Sequence, residues 1–366
     1  MDLFKNWIPN IGVKIILFFL LLPNLVMFFL PVANEEMAAS YYGLEVNYIQ
    51  FMISLYYVGF ASFYILERRF YAYMTSKQYF VVFQILQLIC CYLLYSNQNI
   101  IILFAVRFFQ GMLFASAVNL YMTLVMKTMK THRAKEITFS IFFGMLLCTG
   151  SLNNLITADI LDHFNFGIVY QCCIIGFAIC ILTVLICMHN HLNTRSKPLI
   201  YLDLPSFFLL SICLFCFGYL SIYGQQYYWF ENKKILQVTG LSVLCAVLFL
   251  LRQFQKKRPY INLDIFKYKQ FLWGIALLFF MYIERFSFTF SGSFFTKILN
   301  MDPRHVSYMY ALNLLGIATG VTFAAWWLIK RKSTVLLWFL GFSSLIIYHS
   351  IMIFLMSGSG NLSTYA

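Results

Sequence analysis

Long apolar runs, separated by short polar segments, recur along the whole chain. Eleven of them are close to or above the roughly 20 apolar residues that a helix needs to cross a bilayer. The runs cover residues 12–33, 48–66, 79–96, 99–126, 137–160, 167–188, 204–223, 235–251, 271–295, 306–329 and 335–356. The segments between them are too short to form separate domains. The pattern therefore predicts an all-α polytopic membrane protein with about eleven transmembrane helices.

The composition indicates that the bilayer is the main solvent. Hydrophobic residues make up 61% of the 366 residues, charged residues make up only 11%, and the mean hydropathy is +0.77. Soluble domains carry about 25% charged residues, so this chain could not cover a water-exposed globular surface. A water-soluble fold is therefore excluded. The first run has the apolar character of a signal peptide, but ten further spans favour an uncleaved first helix.

Lysine and arginine are distributed unequally between the two sides of the predicted membrane. The connections on the N-terminal side carry 20 of the 26 basic residues, counting Lys14 at the start of the first run with them; the opposite connections carry 4, and 2 lie deep inside spans. Because basic residues are retained on the cytoplasmic side, we predict a cytoplasmic N-terminus. The net charge of +13 is explained by this topology. It predicts contact with the lipid bilayer and no nucleic-acid partner.

Arg107 is one of the two basic residues deep inside the predicted spans. A central arginine costs about 3 kcal/mol on insertion, so it indicates a polar cavity or partner. The face of the fourth run that carries Arg107 also carries three residues at helical spacing: Leu103, Gln110 and Gly111. This face combines a guanidinium, an amide and a gap that admits close approach of another helix. One interpretation is a functional site, and the other is an arginine that anchors its helix to backbone carbonyls of a neighbour.

Glu284 and Arg285 are two further charged residues that lie deep inside a span. They lie thirteen to fourteen residues into the ninth run, roughly 20 Å from its start at 1.5 Å per residue. Sequence neighbours in a helix point about 100° apart, so each needs its own partner or water. Glu284 could take up and release a proton, because burial favours the neutral form of a carboxyl. A packing salt bridge to another helix is an equally good interpretation.

Several other features are assigned structural roles. All ten cysteines lie inside apolar runs, which predicts small buried thiols rather than a disulfide framework. Gly316 and Gly320 give the tenth run a small-xxx-small pattern, which is typical of close helix packing. The 41 Phe, 25 Tyr and 6 Trp are expected to be core and lipid-facing bulk, with the lining of an apolar cavity as the alternative. The sequence contains no phosphate-binding loop, no HExxH motif and no histidine cluster at metal spacing, so we expect no ATP hydrolysis, no metal and no cofactor.

Three stretches of the chain carry a family resemblance. Residues 103–115 are similar to the fourth-helix motif L-x-x-x-R-x-x-Q-G, with Arg107 at the arginine. Residues 203–235 are similar to the motif D-x-x-G…G-Q-x-x-x-W-F-x-x-x-I around a seventh helix, and residues 258–266 are similar to the segment before a ninth helix. On these residues the chain resembles the major facilitator superfamily. The second motif is typical of its fourteen-helix drug:proton antiporter branch, the EmrB/QacA type.

The resemblance implies an architecture and a function. Residues 1–190 would form a six-helix N-terminal bundle, residues 191–257 a cytoplasmic linker and an inserted helix pair, and residues 258–366 part of a C-terminal bundle. Eleven spans of an expected fourteen imply a C-terminally truncated chain. The function implied is proton-coupled efflux of drugs or other amphipathic small molecules across a bacterial inner membrane, with no enzymatic activity. Arg107 would take part in proton transfer together with Gln110, and a periplasmic adaptor and outer-membrane channel are candidate partners.

The chain departs from the family pattern at three places. After the second span, the family motif G-x-L-a-D-r-x-G-r-[RK] is replaced by residues 64–70, which keep basic charge but lose the glycines and the aspartate. In the fifth span, the antiporter motif G-P-x-x-G-G is represented only by residues 150–155. The acidic residue of the family's first span falls at Leu22.

Two other functions were weighed. A membrane enzyme of polysaccharide or lipid assembly can have ten to twelve aromatic-rich spans, but such enzymes usually carry a large external loop with catalytic polar residues, which this sequence lacks. A transport-incompetent remnant would follow if three helices were missing. Reading the gene beyond Ala366 for three more apolar runs would discriminate between a remnant and a transporter.

Overall fold

The computed structural model describes residues 4–33, 35–128, 133–163, 165–190, 202–256, 259–295, 300–301, 303–330 and 333–357. The backbone within these ranges forms twelve α-helices. Their bounds are α1 Asn10–Ala33, α2 Glu35–Tyr42, α3 Val46–Tyr73, α4 Ser76–Ser96, α5 Ile100–Thr128, α6 Ala134–His163, α7 Gly167–Cys187, α8 Leu204–Tyr223, α9 Lys233–Gln255, α10 Lys269–Ser293, α11 Pro303–Ile329 and α12 Thr334–Ser357. No strand occurs within these ranges, so the all-α prediction is confirmed.

Each predicted apolar run falls on one of these helices. In the part of the chain that the structure describes, nine helices are long and apolar enough to cross a membrane, and α1 and α10 contribute shorter apolar stretches, Gly12–Phe28 and Lys269–Ile283. The short helix α2 was not predicted. Its sequence does not stand out as an apolar run, because the helix is only eight residues long and begins with two glutamates.

Helices α1 and α3 to α7 pack around a common core, in which α3 lies along α5 and α4 lies along α7. α1 contacts α5, α6 and α7, and α8 pairs with α9 and also packs against α3. α11 packs against α6, where Asn313 Nδ2 donates to Ser151 Oγ at 3.3 Å. These contacts place α3 and α5 at the centre of the first bundle. The division at residues 190 and 257 remains a prediction.

Hydrogen bonds identify which helix ends lie together. Lys5 N donates to Cys187 O at 3.0 Å, and Lys77 Nζ donates to Met188 O at 3.0 Å. The start of the chain, the start of α4 and the end of α7 therefore share one end of the bundle, called the N-terminal end below. Tyr41 Oη donates to Tyr95 O at 2.9 Å, which brings α2 and the end of α4 together at the opposite end. This up-and-down order agrees with the predicted order of the spans, and the side of the membrane that each end faces stays a prediction.

Two structural expectations from the sequence are wrong. A Cβ added at Gly316 or Gly320 would meet no atom within 4 Å, so these glycines do not mediate close packing in the described part of the chain. The contact face of α11 is turned away from them: a Cβ on Gly144 of α6 would lie 2.5 Å from Val321. All ten cysteines are free, as predicted, but Cys172 is exposed because it lies on the outer face of α7.

Candidate functional site

The crossing of α3 and α5 is built on two glycines. A Cβ on Gly111 would lie 2.0 Å from Tyr56 O, and a Cβ on Gly59 would lie 2.1 Å from Phe108 O. Real Cβ atoms never come so close to a carbonyl oxygen, so both positions require glycine. The two backbones therefore touch directly. Gly111, a predicted site residue, positions α3 against the face of α5 that carries Arg107.

Arg107 lies in the interior of this crossing. Arg107 is 0% exposed. It lies seven residues into α5, about 10 Å from the start of the helix. Its Nη1 donates to Gln110 Oε1 at 2.9 Å, which confirms that the two predicted residues share a face. Its Cζ lies 4.8 Å from the ring centroid of Tyr56, a distance at which the ring attracts the cation.

The guanidinium of Arg107 is incompletely satisfied. Its Nε and Nη2 atoms have no hydrogen-bond partner among the described residues, and the same holds for Gln110 Nε2 and Tyr56 Oη. Anchoring to backbone carbonyls of a neighbouring helix, the alternative interpretation from the sequence, is therefore not observed in the described ranges. A buried guanidinium with unpartnered N–H groups is costly, and among the described residues the contacts that offset the charge of Arg107 are one amide and one aromatic ring.

Tyrosine hydroxyls lie on the side of Arg107 that faces the opposite end of the bundle. Tyr42 Oη is hydrogen bonded to Tyr170 Oη at 2.8 Å and to Leu94 O at 3.0 Å. The helix α2, which the sequence did not reveal, supplies Tyr42 and thereby closes this side of the bundle.

Buried amides lie on the other side of Arg107, between α1, α4 and α5. Gln87 Nε2 donates to Asn24 Oδ1 at 3.4 Å and to Gln110 O at 3.5 Å. Gln84 Oε1 and Gln87 Oε1 are buried without a partner in the described residues. A small cavity with room for about one water molecule is lined by Asn24, Gln84, Gln87 and Ser116, together with apolar side chains. The sequence analysis missed these residues, although two glutamines at i, i+3 inside an apolar run were a usable signal.

Glu284 and Arg285 lie on the backbone of α10, but their side chains are outside the described residues. Their proposed partners and any role in proton binding therefore remain predictions. Leu22, at the position of the family's first-span acid, is a half-buried residue of α1.

The second family-like stretch forms a polar clamp between α8 and α9. The Asp203 carboxylate accepts hydrogen bonds from Ser206 Oγ at 2.6 Å and Arg252 Nη2 at 3.0 Å, and it pairs with Lys256 Nζ at 2.7 Å. Burial raises the pKa of Asp203, but the hydrogen bonds from these three partners and the charge of Arg252 outweigh burial and lower the pKa to about 2. The aspartate of the motif thus holds the helix pair together and is ionised at neutral pH.

The other end of this helix pair contains a strained turn. Tyr228 and Trp229 adopt positive φ angles of 55° and 53°, which non-glycine residues rarely do. A Cβ on Gly224 would lie 2.7 Å from the Trp229 ring, so glycine allows the indole to fold back over the end of α8. The motif residues Gly224 and Trp229 therefore shape a connection rather than a binding pocket.

A family model described as Major Facilitator Superfamily matches residues 15–366, which is nearly the whole chain. No curated protein matches the chain significantly.

Proposed function

The chain belongs to the Major Facilitator Superfamily and is a multi-pass membrane transporter, and we propose that it exports drugs or other amphipathic small molecules in exchange for protons. The family supports secondary transport of a small molecule across a lipid bilayer. The direction of transport, the chemical class of cargo and the coupling ion are our proposal. So is the assignment to the fourteen-helix antiporter branch.

The observation that carries this proposal is the buried guanidinium of Arg107, which has two unpartnered nitrogen atoms among the described residues. An arginine remains protonated in proteins, so Arg107 does not itself carry the transported proton. Its fixed positive charge instead favours a nearby ionised carboxyl and disfavours a second cation. We propose that Gln110 orients the guanidinium and that Gly111 sets its depth. Glu284 is proposed as a proton carrier and Arg285 as its neighbour in the second bundle.

Alternating access supplies the transport cycle. In this scheme the N-terminal bundle, residues 1–190, rocks against the C-terminal segment, residues 258–366, and the helix pair of residues 191–257 lies beside them. The packing of α11 on α6 supports a contact of this kind between the two bundles. We further propose a bacterial inner membrane with the N-terminus in the cytoplasm, where a periplasmic adaptor and an outer-membrane channel could extend the export path.

The test is efflux of ethidium from cells that express the full-length gene in a host without its own exporters. The intact protein is expected to lower ethidium accumulation, and a protonophore is expected to abolish that effect. Arg107→Ala should abolish gradient-driven efflux while the protein still inserts into the membrane. The matched control is Arg133→Ala, because Arg133 lies at the N-terminal end of α6, 3.6 Å from Glu136. Undiminished efflux by the Arg107 variant would remove the role assigned to this residue.

A further inference from the structure

A second ionisable side chain is buried in the same bundle, near its N-terminal end. Glu67 lies on α3, which continues to Tyr73 although the apolar run ends at Leu66, and it is only 1% exposed. Tyr79 Oη donates to Glu67 Oε1 at 2.7 Å. The Asn119 side chain of α5 lies beside the carboxyl, and its Nδ2 donates to Tyr64 O at 3.5 Å. No lysine or arginine forms an ion pair with Glu67 in the described ranges.

The groups that surround Glu67 leave its charge poorly compensated. α3 itself contributes Tyr64 and Arg68, of which Arg68 is exposed and acts on the carboxyl only from a distance. α4 contributes the neutral Tyr79, and α5 contributes the uncharged Asn119. Burial favours the neutral form of a carboxyl, whereas a donated hydrogen bond such as that from Tyr79 favours the ionised form. The site therefore has a physical reason to accept either form.

Polar side chains connect Glu67 to Arg107 through the interior of the bundle. Tyr79 and Ser116 both line the small cavity. Gln87 lines the same cavity, and its side-chain amide donates to the backbone carbonyl of Gln110. The side chain of Gln110 in turn accepts a hydrogen bond from Arg107. The unpartnered oxygen atoms of Gln84 and Gln87 in the described structure are the acceptors that a water molecule in this cavity would satisfy.

We propose that Glu67 is the proton-binding carboxyl of the N-terminal bundle and that the buried polar track from Tyr79 to Gln110 links its protonation to Arg107. This inference rests on the proposed proton coupling. It assigns to Glu67 the task for which the first span has no acidic residue, since Leu22 stands at that position. Arg107 is then the fixed charge that responds to the carboxyl.

The proton balance of the step is simple. The Glu67 carboxylate accepts a proton from water at the N-terminal end of the bundle and becomes a neutral acid with a new O–H bond. Tyr79 keeps its own proton and its donated hydrogen bond in both states. Release reverses the step and returns the proton to water. The net charge of the polar track therefore changes by one unit, and no other reactant is required.

Infrared spectroscopy of the purified chain tests the inference without knowledge of the cargo. A protonated carboxyl has a carbonyl stretch separate from the amide bands, and its intensity is followed from about pH 5 to about pH 9. We expect a titrating band that Glu67→Gln removes and that Glu136→Gln, which alters an exposed carboxyl at the same end of the bundle, leaves in place. Retention of the whole titrating band in Glu67→Gln would overturn the proposal.

The Tyr79→Phe variant provides a second readout that does not require removal of the carboxyl. We expect its carboxyl band to move to higher frequency and to titrate at a different pH, because the hydroxyl that donates to Glu67 is gone. If Glu67→Gln fails to fold, this variant decides the question. An unchanged band in Tyr79→Phe would contradict the assignment to Glu67.

A transport measurement separates this inference from the proposed function. In vesicles, Glu67→Gln should lose ethidium efflux driven by a pH gradient but retain exchange of ethidium down its own gradient. If the unmodified chain moves no ethidium in response to protons, the proposed function fails while the infrared result still stands by itself. If the unmodified chain is proton-driven and Glu67→Gln remains equally so, only the present inference fails.

Discussion

The direct backbone contact between α3 and α5 makes Gly111→Ala a sharp test of the site geometry. The new Cβ would lie 2.0 Å from Tyr56 O and 2.9 Å from Phe60 N, whereas ordinary contacts begin near 3.4 Å. Relief of the clash with Tyr56 O therefore requires a separation of about 1.4 Å, the difference between those two distances. Both opposing atoms belong to the backbone of α3, so no side-chain rotation can provide it. The helices must move apart.

This movement should weaken both stability and function. Overpacking of a close contact costs about 1–3 kcal/mol, and a backbone clash belongs near the upper end of that range. The same movement draws the Tyr56 ring away from Arg107, which removes part of the compensation for its charge. We therefore expect Gly111→Ala to unfold at a lower temperature and to lose efflux.

Thermal unfolding in detergent provides the measurement, followed by the reaction of newly exposed cysteines with a thiol-specific fluorescent dye. Gly240→Ala is the matched control, because a Cβ at Gly240 on α9 meets no atom within 4 Å. Alanine is favoured over glycine inside a helix by about 1 kcal/mol, so the control should unfold at the same or a higher temperature. Equal unfolding temperatures and equal efflux for Gly111→Ala and the unmodified chain would refute the tight crossing.

Three further predictions follow from individual contacts. Arg107→Lys keeps the charge but loses the planar group over Tyr56, so efflux should fall well below that of the unmodified chain in the ethidium assay, and full activity would show that charge alone suffices. The pKa of Asp203 is lowered from its ordinary value of 3.8 to about 2. The ionised carboxylate therefore stabilises the fold at pH values above the ordinary pKa, by at most about 2 kcal/mol. The stabilisation by the Asp203 carboxylate should therefore be fully present above about pH 5 and should be lost as the pH falls through about 2, so the stability difference between the unmodified chain and Asp203→Asn should shrink over that range. Gly224→Ala should displace the Trp229 ring, and an unchanged tryptophan emission spectrum would contradict that packing.

The sequence predicted the helices well because a bilayer imposes a simple rule on them. Each apolar run became a helix, and the 3.6-residue period placed Arg107 and Gln110 on one buried face. The same rule did not predict which helices pack closely against each other. Gly316 met nothing in the described part of the chain, because a small residue permits close packing but does not specify a partner.

Glu67 shows the limit most clearly. Beside Arg68 and Arg69, its sequence context indicates a solvated helix end, yet the structure buries it against α4 and α5. The burial of Glu67 depends on how α3, α4 and α5 are rotated relative to one another. The apolar pattern of a single helix carries no information about that rotation. The same holds for the two nitrogen atoms of Arg107 that have no partner among the described residues, since a sequence reveals a buried charge but not whether that charge is satisfied.

The most direct test of the account is a simultaneous record of proton and cargo movement in one preparation of vesicles that contain the purified chain. A pH-sensitive dye reports the internal pH while an outward gradient of ethidium is imposed. The account predicts that ethidium leaving the vesicles drives protons inward, and that Arg107→Ala abolishes this proton movement. Ethidium transport with no change in internal pH, or normal proton movement in the Arg107 variant, would contradict it.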